Sequence, residues 1–263
     1  MAKFSISSLS TDVLSDEKLT QLYSAAKKTY KDFSFKDLDI IFGVAKANRE
    51  LFPSINIAES ENKPSAYITR WVANYINGVQ NTPSRKIASP RTTCTDPIIS
   101  VIVGAVKKLS EAEINSAELN HILFMSAENV LGGLLEEYIA SQVKAHGWIW
   151  CAGEVLHAID FCSSNGSVLL QVKNKHNSEN SSSSSVRVGT TIQKWYRLGV
   201  RTIKGKKYPK YMWEKLNKVI NTYRTEQVDA DGKALPECNM NEASYIEFVK
   251  SVAAKNKFII SDE

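Results

Sequence analysis

The chain has 263 residues, 43% hydrophobic and 23% charged, which is the composition of an ordinary folded protein and excludes a largely disordered one. Its formal net charge of +5 and pI near 8.9 suit a polyanionic partner without requiring one. No apolar leader follows Met1, the longest apolar run (about Ile98 to Val106) is far short of the ~20 residues that span a bilayer, and Cys94, Cys151, Cys162 and Cys238 are too scattered for a zinc site or a disulfide framework, so a cytoplasmic protein is expected.

The first half of the chain reads as helical. Ser15 or Asp16 opens a helix from Glu17 to about Tyr30, with Leu19, Leu22, Tyr23, Ala26 and Tyr30 on one stripe. A second helix spans about Phe35 to Leu51 and is stopped by Pro53, and a third spans about Pro64 to Asn77 with Tyr67, Trp71, Val72 and Tyr75 at helical period. Arg70, Arg85, Lys86 and Arg91 lie on or after it, in and beside a Pro/Ser/Thr-rich connection that reads equally as an exposed loop or a DNA contact. Pro97 to Leu109 and Asn115 to Met125 have the pattern of core helices. Ser126 then caps a long helix from Ala127 to His146, closed by Gly147, with Glu136 and Glu137 beside its apolar face. This pattern predicts a mainly helical region over residues 1–120 ahead of a second region over 121–263, with one continuous domain as the alternative.

Glu154 to Lys175 is where charge enters an apolar pair of strands. Val155 to Phe161 and Val168 to Val172 are β-branched and aromatic, and Asn165-Gly166 between them signals a hairpin. A loop centred on that pair sets Cys162 opposite Leu169, Phe161 opposite Leu170 and Asp160 opposite Gln171. Because strand residues alternate faces, Asp160, Gln171 and Lys173 converge. An acid, an amide and an ammonium on one patch of a hydrophobic hairpin call for a metal ion or a functional reason; the plain alternative is an Asp160–Lys173 salt bridge at the sheet margin. Glu154 reads as an acid on the same strand and face as Asp160, six residues away, about 20 Å at ~3.3 Å per residue and too far to share an ion.

Asn174 to Ser185 is polar and reads as a loop. From Arg187 to Lys218 positive charge concentrates: Arg187, Lys194, Arg197, Arg201, Lys204, Lys206, Lys207, Lys210, Lys215 and Lys218 against the single acid Glu214, interleaved with Trp195, Tyr196, Tyr208, Tyr211 and Trp213. Stacking on bases is one use of such aromatics and core packing the commoner one. Arg187, Gln193, Lys194 and Arg197 are the candidates for base reading, with Arg201 and Lys204 as further DNA contacts. A turn at Asp229 to Gly232 and a helix at about Glu242 to Ala254 complete the chain; the turn's acids are too incomplete a set for a calcium loop.

Asp160, ten intervening residues, then Gln171-Val172-Lys173 resembles the PD-(D/E)XK nuclease motif, with Gln171 in place of the second acid and Ile159 in place of the proline. With the serine-rich continuation and Gly189-Thr190-Thr191-Ile192-Gln193-Lys194-Trp195, the chain resembles type II restriction endonucleases, most closely the SinI family that cuts GGWCC. The resemblance implies a mixed α+β or α/β fold in which a central sheet carries the catalytic hairpin between helices, after a helical N-terminal region. It implies a magnesium-dependent endodeoxyribonuclease leaving 5′-phosphates, with Asp160 as main metal ligand, Gln171 and the Val172 main-chain carbonyl as further oxygen donors, and Lys173 holding the attacking water. Gly132 and Glu136 match the setting that supplies a further acid in these enzymes, with Glu137 as the reserve. A palindromic or pseudo-palindromic duplex site implies a homodimer, and a restriction enzyme implies a cognate DNA methyltransferase. A non-catalytic DNA-binding protein and a structure-selective repair nuclease are the alternatives.

Overall fold

The computed structural model describes residues 2–58, 62–88, 96–175, 192–225 and 234–260. In chain order its main elements are β1 Ala2–Phe4, α1 Asp16–Lys27, α2 Lys36–Ala47, β2 Ile55–Ile57, α3 Lys63–Gln80, α4 Pro97–Lys107, α5 Glu111–Val143, β3 Trp148–Trp150, β4 Phe161–Ser163, β5 Leu169–Lys175, β6 Gln193–Ile203, β7 Lys206–Tyr211, α6 Trp213–Thr222 and α7 Glu242–Lys255. The fold is mixed α+β with a five-stranded mixed sheet and helices, consistent with a restriction-endonuclease-like fold. Two compact units form, one from Met1–Asn81 with Ile139–Glu242 and the other from Thr82–Tyr138 with Ala243–Glu263. α5 runs unbroken through Ser126, which sits inside it rather than capping a new helix.

In the first unit α1, α2 and α3 form close to where the apolar period puts them. Ser15 caps α1 by accepting the Lys18 amide at 3.2 Å, and Asn62 caps α3 by accepting the Ser65 amide at 3.4 Å. Their buried stripes meet in an aromatic cluster: Tyr23 stacks on Phe42 at 4.0 Å between ring centres, and Trp71 stands edge-on to Tyr23, Phe42 and Phe52. The five strands run in the order β3-β4-β5-β6-β7, every neighbouring pair antiparallel except β5 and β6. Trp195 of β6 packs on Trp213 of α6 at 5.1 Å.

Residues 151–160 depart from expectation. They form turns, and only Phe161–Ser163 is strand, because Gly153, Glu154 and Ala158 all take positive φ and break extension. The hydrophobic residues read as strand are used another way: Val155, Leu156 and Ile159 are buried in the core of the three helices. Two main-chain contacts hold the turn there. Trp71 Nε1 donates to the Val155 carbonyl at 2.7 Å, and the His157 amide donates to the Leu51 carbonyl at 2.7 Å. The turn also presses on α3 so closely that a Cβ on Gly78 would lie 2.5 Å from the Gly153 amide nitrogen.

The second unit holds α4, most of α5 and most of α7, with a small core of Leu134, Val252 and Ile259. α4 is not the core helix its composition suggests. It buries no residue, and Ile98, Ile99, Val101, Ile102 and Val106 are each more than half exposed. Among the described residues no helix is long and apolar enough to cross a membrane.

Glycine substitutions in two helices of the first unit separate backbone propensity from this close approach. Gly43 of α2 has open space around it, so Gly43→Ala should raise stability by about 0.5–1 kcal/mol. Gly78→Ala should instead lower it by about 1–3 kcal/mol, since the new methyl meets main chain that cannot rotate away. Thermal melts of both variants check the opposite signs; two variants that move the same way would contradict the packing described.

Candidate active site

The β4–β5 register is the one expected, Phe161 opposite Leu170 and Cys162 opposite Leu169. The turn that sets it differs in detail. Gly166 donates to the Ser163 carbonyl at 2.8 Å, and Asn165 keeps negative φ while its Oδ1 accepts from the Ser167 amide and from the hydroxyls of Ser163 and Ser167. A four-residue loop thus does the work assigned to a two-residue one, and the register survives.

Asp160 stands where the antiparallel ladder ends. Its amide still donates to the Leu170 carbonyl at 3.0 Å, and its own carbonyl accepts the Cys151 amide at 2.8 Å. One step further along β5, the Val172 amide donates to Asp160 Oδ2 at 2.6 Å, so a carboxylate takes the place of the next strand residue. In an extended strand the N–H and C=O of one residue point to the same side. The Val172 carbonyl therefore opens toward the same gap as the Asp160 carboxylate. Oδ1 of Asp160 makes no hydrogen bond among the described residues.

Gln171 is 4% exposed, and its Oε1 is buried without a hydrogen-bond partner. A buried, unsatisfied carbonyl is costly unless something outside the protein meets it. Lys173, two residues along and on the same face, is exposed and forms no ion pair with any described residue. The simple margin salt bridge between it and Asp160 is absent, although its charge is felt at the acid. Burial pushes the Asp160 carboxyl up to about 6; the Val172 amide and then Lys173 hold it down, and Glu154 adds to the rise. That last influence corrects the 20 Å separation expected for Glu154. The chain turns back on itself between Gly153 and Ala158, so the two carboxylates come close enough to repel.

Hard oxygen donors are what a magnesium-sized cation takes. Asp160 Oδ1, the orphaned Gln171 Oε1 and the Val172 carbonyl are such donors, and an acid raised by burial is relieved by a cation. These residues fit a divalent metal. Among the described residues there is no group of three or more His, Cys, Asp or Glu side chains, so any such site relies on amide and main-chain oxygens beside its acid.

The glutamates of α5 are told apart by their surroundings. Both carboxylate oxygens of Glu137 are engaged by Ser84, Oε2 with its amide at 2.7 Å and Oε1 with its hydroxyl at 2.5 Å. Glu137 therefore anchors the short turn at Pro83–Arg85. Glu136 is partly buried on the same helix, in the second unit.

Of the expected DNA contacts, Arg187 lies outside the described residues, as does the turn at 229–232. Gln193 and Lys194 begin β6, where Lys194 pairs with Gln171 in the parallel register. Arg197 is placed differently from expectation. It is 9% exposed, its Nε donates to Asn174 Oδ1 at 2.8 Å, and its guanidinium pairs with Glu242, whose other oxygen accepts Trp213 Nε1 at 2.8 Å. A guanidinium so engaged ties β5, β6 and the start of α7 together instead of reaching a base. Arg201 and Lys204 are exposed on a two-stranded extension of the sheet that sequence patterning missed, since lysines mask the alternation of β7.

The model of a family described as SinI restriction endonuclease matches residues 55–230. A type II restriction enzyme, Eco47I, of Escherichia coli is 42% identical over 113 residues, 41% of this chain and 49% of that protein. A type II restriction enzyme, SinI, of Salmonella infantis is 40% identical over 116 residues, 43% of this chain and 50% of that one. The chain spans about half the length of the curated relatives it matches.

The raised acid makes a prediction about stability. A carboxyl whose folded pKa of about 6 exceeds its unfolded value of 3.8 stabilises the fold while protonated, and that contribution is lost as pH rises through 4 to 6. In chelator, Asp160→Asn should match the wild type near pH 4 and exceed it at pH 7 by roughly 1–3 kcal/mol. Urea unfolding at the two pH values measures this, and a variant no more stable than wild type at pH 7 would contradict the burial described.

Proposed function

The chain belongs to the SinI restriction endonuclease family, and on that premise we propose that it is a type II restriction endonuclease that hydrolyses phosphodiester bonds in double-stranded DNA at a short specific sequence. The observation that carries this reading is the break in the β4–β5 ladder, where Asp160 accepts the amide of Val172, which lies in sequence between Gln171, whose buried Oε1 has no partner, and Lys173, whose charge reaches Asp160. An acid, oxygen donors and an ammonium at one strand break are the parts such a hydrolysis needs.

A phosphodiester repels an anionic attacker, so the reaction needs positive charge at the phosphate. Asp160, with the carbonyls of Gln171 and Val172, would hold Mg²⁺, which supplies charge neutralisation and lowers the pKa of a coordinated water. Lys173 donates from its ammonium to the attacking water or to a phosphate oxygen, orienting the one and stabilising charge that builds on the other. The Val172 amide fixes Asp160 so that its second oxygen is the one presented. Replacing the usual second acid by Gln171 leaves the site one negative charge weaker, which the burial of Asp160 would otherwise make harder to bear. The role of Glu136 as a further acid rests on the family resemblance alone, as does the target GGWCC. A palindromic site would be served by a homodimer, acting in a prokaryotic cytoplasm beside a methyltransferase that protects the host sequence.

A plasmid digest with Mg²⁺, followed by sequencing of the fragment ends, tests the reading. Wild-type protein should give discrete fragments with 5′-phosphates, and Asp160→Ala and Lys173→Ala should each lower the rate roughly 100-fold or more. A smear would point to a nuclease without sequence preference. Intact plasmid in every divalent metal would remove the enzyme and leave a DNA-binding protein.

A further inference from the structure

Beyond Gly199, among the described residues, the sheet continues as two strands. Val200 to Ile203 of β6 and Lys206 to Tyr211 of β7 are exposed at every position, and beyond Tyr211, which lies under the Arg197 guanidinium at its base, the ribbon is open on both faces among the described residues. From Gln193 to Met212 there is no acid, and on the ribbon itself stand Arg201, Lys204, Lys206, Lys207 and Lys210, none paired with a described residue. By alternation and register, Arg201, Lys206 and Lys210 share one face with Tyr208, Lys207 occupies the other, and Lys204 is at the tip.

The tip is a two-residue turn, Lys204-Gly205, with φ of 48° and 76°, the geometry that selects Asn-Gly or Gly-Gly. A lysine there is strained, and strain kept at an exposed tip points to use. Edge protection explains some lysines and Pro209 on β7, the outermost strand. It does not explain a bare ribbon that also exposes Val200, Ile203, Tyr208 and Tyr211.

The geometry points to insertion of this ribbon, tip first, into the major groove of duplex DNA, with Lys204 reading a base edge and Arg201, Lys206, Lys207 and Lys210 holding the phosphate walls. The major groove admits a two-stranded ribbon and offers guanine N7 and O6 to a lysine at its floor. Cations on both faces suit a groove lined by phosphates on both sides. Reach is adequate as well. β6 pairs with the candidate catalytic strand at Tyr196 opposite Lys173, and Lys204 is eight residues further on, roughly 26 Å at 3.3 Å per residue. That is less than one turn of DNA, about 34–36 Å, so the proposed chemistry on β5 and recognition at the β6–β7 tip can act on one duplex site.

This inference rests on the DNA-cutting reading for its choice of target, and the test keeps the two apart. Fluorescence anisotropy in chelator, over a salt series, would compare a short duplex centred on GGACC with the same duplex scrambled. Lys204→Gly suits the turn better than the wild type and so keeps the fold; it should cut the preference for GGACC roughly tenfold. Lys206→Ala should weaken both duplexes alike and lower the salt slope by about 1. Unchanged binding in both variants, or no preference in the wild type, would overturn the assignment. If plasmid cutting and binding are both intact in Lys204→Gly, the ribbon assignment falls and the endonuclease stands. If nothing is cut but Lys206→Ala still weakens duplex binding, cleavage falls and the ribbon stands.

Discussion

The Asp160 carboxylate accepting the Val172 amide is the contact on which the candidate site depends. A side chain there replaces the main chain of a strand that has already turned away, which ends the ladder and leaves the Val172 carbonyl facing a gap. The exchange places an acid where burial disfavours its charge, and only a short hydrogen bond and a nearby ammonium offset that cost. Such an acid is poised to accept a cation.

What holds it in place is the helical part of the first unit. The turn before Asp160 lies on α3 with glycine against glycine, pinned by Trp71 and Leu51 through its own main chain. The helices that precede the sheet in sequence are thus the support of the edge that carries Asp160, because Val155, Leu156 and Ile159 fill their core. On the far side of β5, Arg197 bridges Asn174 and Glu242, which fixes the end of the strand just past Lys173. An ionic pair this buried would be expensive to break, since either partner left alone keeps an uncompensated charge.

The hairpin register was legible because strand period and a nearby turn fix it locally. The apolar stretch 155–161 misled for a physical reason: β-branched residues that plug a helical core look the same in composition as those of a strand, and only positive φ at residues 153, 154 and 158 tells them apart. Arg197 resembled its basic neighbours since its partner Glu242 is 45 residues away. The ribbon went unseen because Lys204-Gly205 is a weak turn signal compared with Asn-Gly. α4 has the composition of a core helix, yet its apolar residues are exposed, because composition carries no record of which neighbours a helix meets.

On the proposed reading, chemistry and recognition are divided along one sheet, with the oxygen donors where β4 leaves β5 and the cations on the β6–β7 ribbon. The claim most open to direct attack is that the strand break is a metal site. Calorimetric titration of Mg²⁺ into the full chain, beside Asp160→Asn and Gln171→Leu, addresses it without requiring cleavage. The account predicts one site per chain, weakened at least about tenfold by losing the Asp160 charge and less by losing the Gln171 carbonyl. Binding that is undiminished in Asp160→Asn would contradict it.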